Sequence, residues 1–192
     1  MKGYLVTLSF LVILLSGCAD VYIARPTLQY TTIIPRSPST DIAIYVSDFD
    51  DIRPNKGSGY IGTVSLGPTH YDGIVEPPNI APWVTDAFKD ELLNAGFRLS
   101  QRADSLNLKG EILSLSASNK VGAFDAAVVL RMRITRDNAV LLDKTYDGKA
   151  HKFVLAAVSL RPDCEEVLKE SLQQVIRQAI GDIAKTLKEN KK

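Results

Sequence analysis

The chain has 192 residues, with 23 Lys+Arg against 22 Asp+Glu and 45 % hydrophobic residues. That length holds one domain, or one domain with a tail, and the even spread of charge lacks the basic footprint that nucleic-acid binding requires. The two histidines, His70 and His151, and two distant cysteines, Cys18 and Cys164, cannot build a zinc site at local spacing or a disulfide scaffold.

Residues Tyr4 to Leu15 form a nearly unbroken apolar run behind Lys2, about half the roughly 20 residues of a spanning helix. The run ends in Leu15-Ser16-Gly17-Cys18, with small residues ahead of the cysteine as signal-peptidase cleavage demands. This resembles a bacterial lipobox. The resemblance implies a signal peptide over residues 1–17, cleavage before Cys18, and a diacylglyceryl group on its thiol with an acyl chain on its new amine. One acyl chain binds a membrane only marginally, each buried methylene adding about 0.8 kcal/mol, whereas several chains anchor without a span. The residue after the cysteine is Ala19 rather than the aspartate that commonly retains lipoproteins in the inner membrane, which leans the expectation to the outer membrane.

Residues 18–40 lack periodicity and hold Pro26, Pro35 and Pro38 among many Thr and Ser, so they read as the lipidated N-terminus and an extended tether long enough to hold a domain several nanometres off the bilayer. The domain is expected over 41–192. It opens on a period-2 strand in which Ile42, Ile44 and Val46 alternate with Ala43, Tyr45 and Ser47. From Asp48 to Asn79, five glycines and four prolines predict a long functional or disordered loop, with Tyr60 to Leu66 able to form a hairpin arm. Pro82 fits a first helical turn, Val84, Ala87, Phe88, Leu92 and Ala95 recur at helical spacing, and Gly96 supplies the stop. Phe97 to Leu99 is a short extended piece. Next come a strand from Leu106 whose parity flips after Ile112, predicting a bulge, and a strand with Val128, Leu130, Met132 and Ile134 on one face. An Asp137-Asn138 turn returns the chain through Val140 to Tyr146, and His151 to Val158 is read as a continuation of the sheet. Asp163 and Glu166 have capping-box spacing, opening a helix whose stripe is Leu168, Leu172, Val175, Ile176, Ala179, Ile183 and Leu187. The fold class expected is α+β: a mostly antiparallel sheet with two helices packed on one face.

Catalytic chemistry is hard to place. His70 and His151 have no serine elbow beside them, and Lys56-Gly57-Ser58-Gly59 does not lead into a helix as a phosphate loop would. Asp48, Asp50 and Asp51, with Asn55, supply oxygen ligands but not at calcium-loop spacing, so no metal, no cofactor beyond the lipid on Cys18 and no catalytic residue is expected. Cys164, near a helix start with Glu165 and Glu166 beside it, reads as an unreactive thiol. Tyr60, Tyr71 and Trp83 border the long loop and are the candidate partner-binding residues. Free sheet edges offer a second docking mode by strand addition.

The lipobox, the tether, the strand at Asp41 to Ser47, the glycine-rich loop, the helix Trp83 to Phe97 ending Leu-x-x-Ala-Gly-Phe, and the closing meander plus helix resemble the YajG-like family of small bacterial lipoproteins. The helix-end motif is also similar to curli-secretion, TolB-N-terminal-like and ABC-transport auxiliary lipoproteins. The resemblance implies a periplasmic assembly or transport accessory; together with the lipobox and the missing catalytic constellation, the expectation is a lipid-anchored module without enzymatic activity that contacts an envelope protein through the 48–79 loop or the sheet edges. Its alternative is an accessory of an envelope transporter that holds lipid or another apolar ligand between sheet and helices.

Overall fold

A single long strand organises the molecule. Described in the structure, a computed structural model, are residues 23–66, 69–102, 106–120, 122–154 and 160–190, with the side chains of 66–72 outside the described set. The elements are β1 (Ala43–Val46), β2 (Asp50–Asp51), β3 (Tyr60–Leu66), β4 (Thr69–Val75), α1 (Ile80–Asn94), β5 (Arg98–Leu99), β6 (Leu106–Lys120), β7 (Ala123–Arg136), β8 (Ala139–Phe153) and α2 (Leu160–Glu189). All eight strands form one sheet. β6 gives one edge to β7, which pairs in turn with β8, both antiparallel. Its other edge takes β1, β2 and β3 in series, all parallel. β5 then adds parallel to β1, and β4 adds antiparallel to β3.

The sheet is therefore mixed rather than mostly antiparallel in its pairings. Periodicity reveals the long hairpins β6–β7–β8, whose turn at Asp137 and Asn138 has positive φ at both positions, as a primed two-residue turn requires. It does not reveal that the chain crosses over a helix between β1 and β5, the connection that makes their neighbours parallel. The parity flip in β6 is a register shift between Ile112 and Ser114.

Both helices cover one face. Phe124, Ala126, Val128, Leu130, Met132 and Ile134 of β7 are buried, while the alternate residues are half-exposed. α2 lies on this face with its whole stripe from Leu168 to Leu187 at 0–1 % exposure, each Leu or Ile adding about 1.5–3 kcal/mol of transfer free energy. It seats closely because β8 carries Gly148, where a Cβ would stand 2.1 Å from the Ser171 carbonyl oxygen. α1 packs beside it, with Phe88 against Phe49 at 5.5 Å between ring centroids. The helix ends with the Phe97 amide on the Leu92 carbonyl, the bond of a glycine-terminated helix.

Three expected elements differ. α2 begins at Leu160, and Asp163 and Glu166 both bind Lys152 of β8, so they tie helix to sheet instead of capping the helix. The stretch 48–79 is mostly ordered as β2, β3 and β4, and its glycines serve close approach as well as turns: a Cβ on Gly62 would stand 1.6 Å from the Ala117 carbonyl oxygen. The segment read as a tether is docked over residues 24–40. Ala24 is fully buried and bridges β4 at Ile74, with its amide on Gly73 and its carbonyl taking the Val75 amide. Leu28, Tyr30 and Ile34 pack on the core. The strap ends with Ser37 and Thr40 donating to the carbonyls of Asn94 and Gly96.

Candidate functional site

The middle of this docked segment, the strap, is held by one carboxylate. Glu91 is fully buried on the inner face of α1, and it accepts from the Tyr30 hydroxyl (2.8 Å), the Ile33 amide (2.5 Å) and the Ile34 amide (2.9 Å). Burial, then the Glu91 carboxylate, pushes the Tyr30 phenol well above its ordinary pKa, so it stays a donor. α2 adds further contacts: the Thr27 amide donates to Glu165, Arg161 donates to the Thr27 hydroxyl, and Gln173 donates to the Thr31 carbonyl. The strap thus crosses both helices.

Between strap and α1 lies a groove of about 530 Å³. Pro26, Pro77, Pro78 and Pro82 wall it, Tyr30 and Trp83 line it, and Asp86 and Asp90 stand one helical turn apart on its side. Trp83 is 9 % exposed, and its Nε1–H has no hydrogen-bond partner. A smaller hollow of about 250 Å³ shares Pro77, Asn79 and Pro82 with this groove. Its wall includes Asp51 and Glu76, which buried Arg53 clasps from behind: Nε and Nη2 donate to the two Asp51 oxygens at 2.8 Å each, and Nη2 also reaches Glu76 at 2.5 Å. Glu76 in turn accepts the Gly57 amide, closing the 52–59 loop. Burial opposes ionisation of Asp51, but the Arg53 hydrogen bonds outweigh it and lower its pKa.

A second groove, about 630 Å³, lies on the sheet face turned away from the helices, where Thr63, Ser116, Ser118, Ala127 and Lys149 alternate with buried Ala117, Ala126 and Ala150. Its polar centre is Asp125, which takes the His151 Nδ1–H at 2.6 Å and lies 3.4 Å from Lys120. The His151 hydrogen bond is the main cause of the lowered Asp125 pKa. Ser118, Asp125 and His151 are register partners in one row, which sets the serine and histidine two strand spacings apart, roughly 9–10 Å. The carboxylate stands between them, the reverse of the order in which a histidine relays a serine proton.

Of the sequence-predicted residues, Trp83 lines the strap groove, whereas Tyr60 is 36 % exposed at the start of β3 and is not part of that lining. Cys18 and the Tyr71 side chain lie outside the described residues, as do the His70 side chain and residues 155–158 of the expected sheet continuation. Asp48, Asp50 and Asp51 separate onto Lys89, Lys109 and Arg53. Among the described residues no three His, Cys, Asp or Glu side chains converge on a metal-sized site. Cys164 is fully buried, its pKa pushed up to about 12 by burial and then by Glu165. The β8 edge is partly covered, since Gln174 accepts the Lys149 amide and Gln178 donates to the Asp147 carbonyl. Glu91, Asp86 and Asp90 escaped the sequence reading. The available signal was Glu91 itself, a charge on the stripe of Ala87, Phe88 and Leu92.

Protein XCC0632 from Xanthomonas campestris, of family model DUF330, is 15 % identical over 88 % of this chain and 98 % of its own, with a TM-score of 0.57. The two chains share a fold. More distant are the hypothetical protein CT253 from Chlamydia trachomatis, 11 % identical over 75 % of this chain and 96 % of its own, with a TM-score of 0.48, and lipoprotein GNA1162 from Neisseria meningitidis, 10 % identical over 75 % and 99 %, with a TM-score of 0.42. No family model matches the sequence, and no curated protein does. No helix among the described residues is long and apolar enough to cross a membrane.

Proposed function

We propose that this chain is a bacterial envelope lipoprotein of the YajG-like kind, anchored through lipid on Cys18 and facing the periplasm, and that it works without catalysis by holding an envelope protein at the strap groove. The observation that carries the reading is the strap. Lipidation at Cys18 would place the anchor six residues before Ala24, the first residue seen docked on the sheet, and six residues reach no more than about 22 Å. The domain would then sit against its membrane instead of swinging several nanometres from it. The groove, walled by the same strap, would face partners at that surface. Ala19 after the cysteine supports the outer membrane as the address. The apolar-carrier alternative asks for a cavity between sheet and helices; the two large grooves lie elsewhere, one on the outer sheet face and one under the strap.

The test is in-cell photocrosslinking with a photoreactive side chain in place of Pro78, at the groove, or of Val140, which is 55 % exposed at the far hairpin. Capture of one defined envelope protein from position 78, absent from position 140 and lost with Cys18→Ala, supports the reading. Identical capture from both positions, or none, refutes it.

A further inference from the structure

We infer that the groove between strap and α1 receives an extended segment of a partner protein that inserts a lysine or arginine side chain; this rests on the contact-module reading above and names the partner's chemistry. The first argument is charge. Asp86 and Asp90 are exposed on the groove wall, no cationic side chain lines it, and neither carboxylate has an ion-pair partner among the described residues. Carboxylates around it are satisfied from within: Asp48 by Lys89, Asp51 by Arg53, Glu165 by Arg161. A positive group entering here meets two carboxylates that no salt bridge among the described residues occupies, with Arg177 acting on Tyr30 from farther off.

The second argument is the lining itself. Aromatic rings beside carboxylates form a favourable seat for a guanidinium or ammonium group, and Tyr30 and Trp83 both line the groove, with the Tyr30 hydroxyl committed to Glu91. The indole N–H of Trp83 has no partner and is itself closed off from solvent in a side chain more than nine-tenths buried, so Trp83 offers the segment its ring and not a donor. Four prolines give rigid walls that offer no amide donors, so the segment is gripped by its side chains, as extended proline-type ligands are, and not by strand addition. The third argument is place. Unpaired carboxylates near an anionic bilayer surface repel its headgroups, which favours a protein occupant over a lipid.

Trp83 is the sole tryptophan of the chain, so its fluorescence reports the groove directly. The full chain in detergent is titrated with a labelled Pro-Arg-Pro-Arg-Pro peptide, with its citrulline counterpart of equal shape and no charge, and with choline. The expected result is saturable binding of the arginine peptide with a change in Trp83 emission and at least tenfold weaker binding of the citrulline peptide. Asp86→Asn combined with Asp90→Asn should weaken the arginine peptide about tenfold with an unchanged melting temperature. Equal affinity for the two peptides, indifference to the double substitution, or a Trp83 response to choline alone overturns the proposal. If position 78 still crosslinks its protein while the arginine peptide fails, the contact-module reading stands and the cationic partner falls; loss of the crosslink alone does the converse.

Discussion

Replacing Glu91 with alanine should release the strap. The carboxylate accepts three hydrogen bonds in a fully buried position, and bonds to a charged acceptor are worth about 1.5–3 kcal/mol each. Their sum is an upper bound, because the Ile33 and Ile34 amides regain water once the strap lifts. The cost is then capped by the docking of Leu28, Tyr30 and Ile34, which sets an expected loss of about 3 kcal/mol. Glu91→Gln retains an acceptor for Tyr30 and Ile33 but turns an amide donor toward the Ile34 N–H, and should lose about 1.5 kcal/mol. Urea unfolding gives the free energies, and trypsin cleavage after exposed Arg36 reads the strap itself. The reasoning fails if Glu91→Ala costs less than about 1 kcal/mol and leaves cleavage at Arg36 as slow as in the parent.

Gly148→Ala should cost about 1–3 kcal/mol in thermal unfolding, because the added methyl meets the Ser171 carbonyl oxygen at 2.1 Å and α2 must shift to admit it. Arg53→Ala leaves Asp51 and Glu76 facing each other in a nearly buried site and should lose about 3–5 kcal/mol, whereas Asp51→Asn, which keeps the bulk, should lose less. Stability should hold level through the neutral range and fall on both sides. Asp51, Asp125, Asp143 and Asp182 have pKa values lowered by the side chains that donate hydrogen bonds to them, Asp143 to about 2, so the stability they contribute above the ordinary carboxylate pKa is lost as pH drops through their folded values. Tyr30 and Tyr146 have raised values, so their contribution is complete below the ordinary phenol pKa and is lost as pH climbs through the folded values; urea midpoints across pH measure both limbs. The Cys164 thiol should resist alkylation in the native protein and react only on unfolding, which mass spectrometry of iodoacetamide-treated samples will show.

The legible parts of the fold were those written in short-range pattern. The β7 face, the turn at Asp137 and Asn138, the parity flip after Ile112 and the α2 stripe all repeat within a few residues, and each stands where the pattern puts it. β2 is two residues long and exists because β6, some 60 residues onward, offers it an edge. Proline and threonine content made residues 18–40 look unattached, since docking depends on backbone amides and one hydroxyl that meet a carboxylate far along the chain. The candidate site was half visible for the same reason. Aromatic content singled out Trp83, but the groove also needs Tyr30 and Pro26, which only the strap brings beside it.

β6 has a cost in the order of assembly. Because β1, β2 and β3 are joined into one sheet only by a strand that starts at Leu106, a chain emerging N-terminus first can form the β3–β4 hairpin and the short β1–β5 pairing but cannot assemble the sheet until more than half of it is out. Such long-range pairings are slow to form, and until they do the strands present unpaired edges to their surroundings. Amide exchange during refolding should therefore protect the β7–β8 hairpin and α2 before it protects β1, although β1 is made first. A protein built this way carries unpaired strand edges until its longest strand is complete, so its exposure to aggregation before folding follows from the placing of one strand late in the sequence.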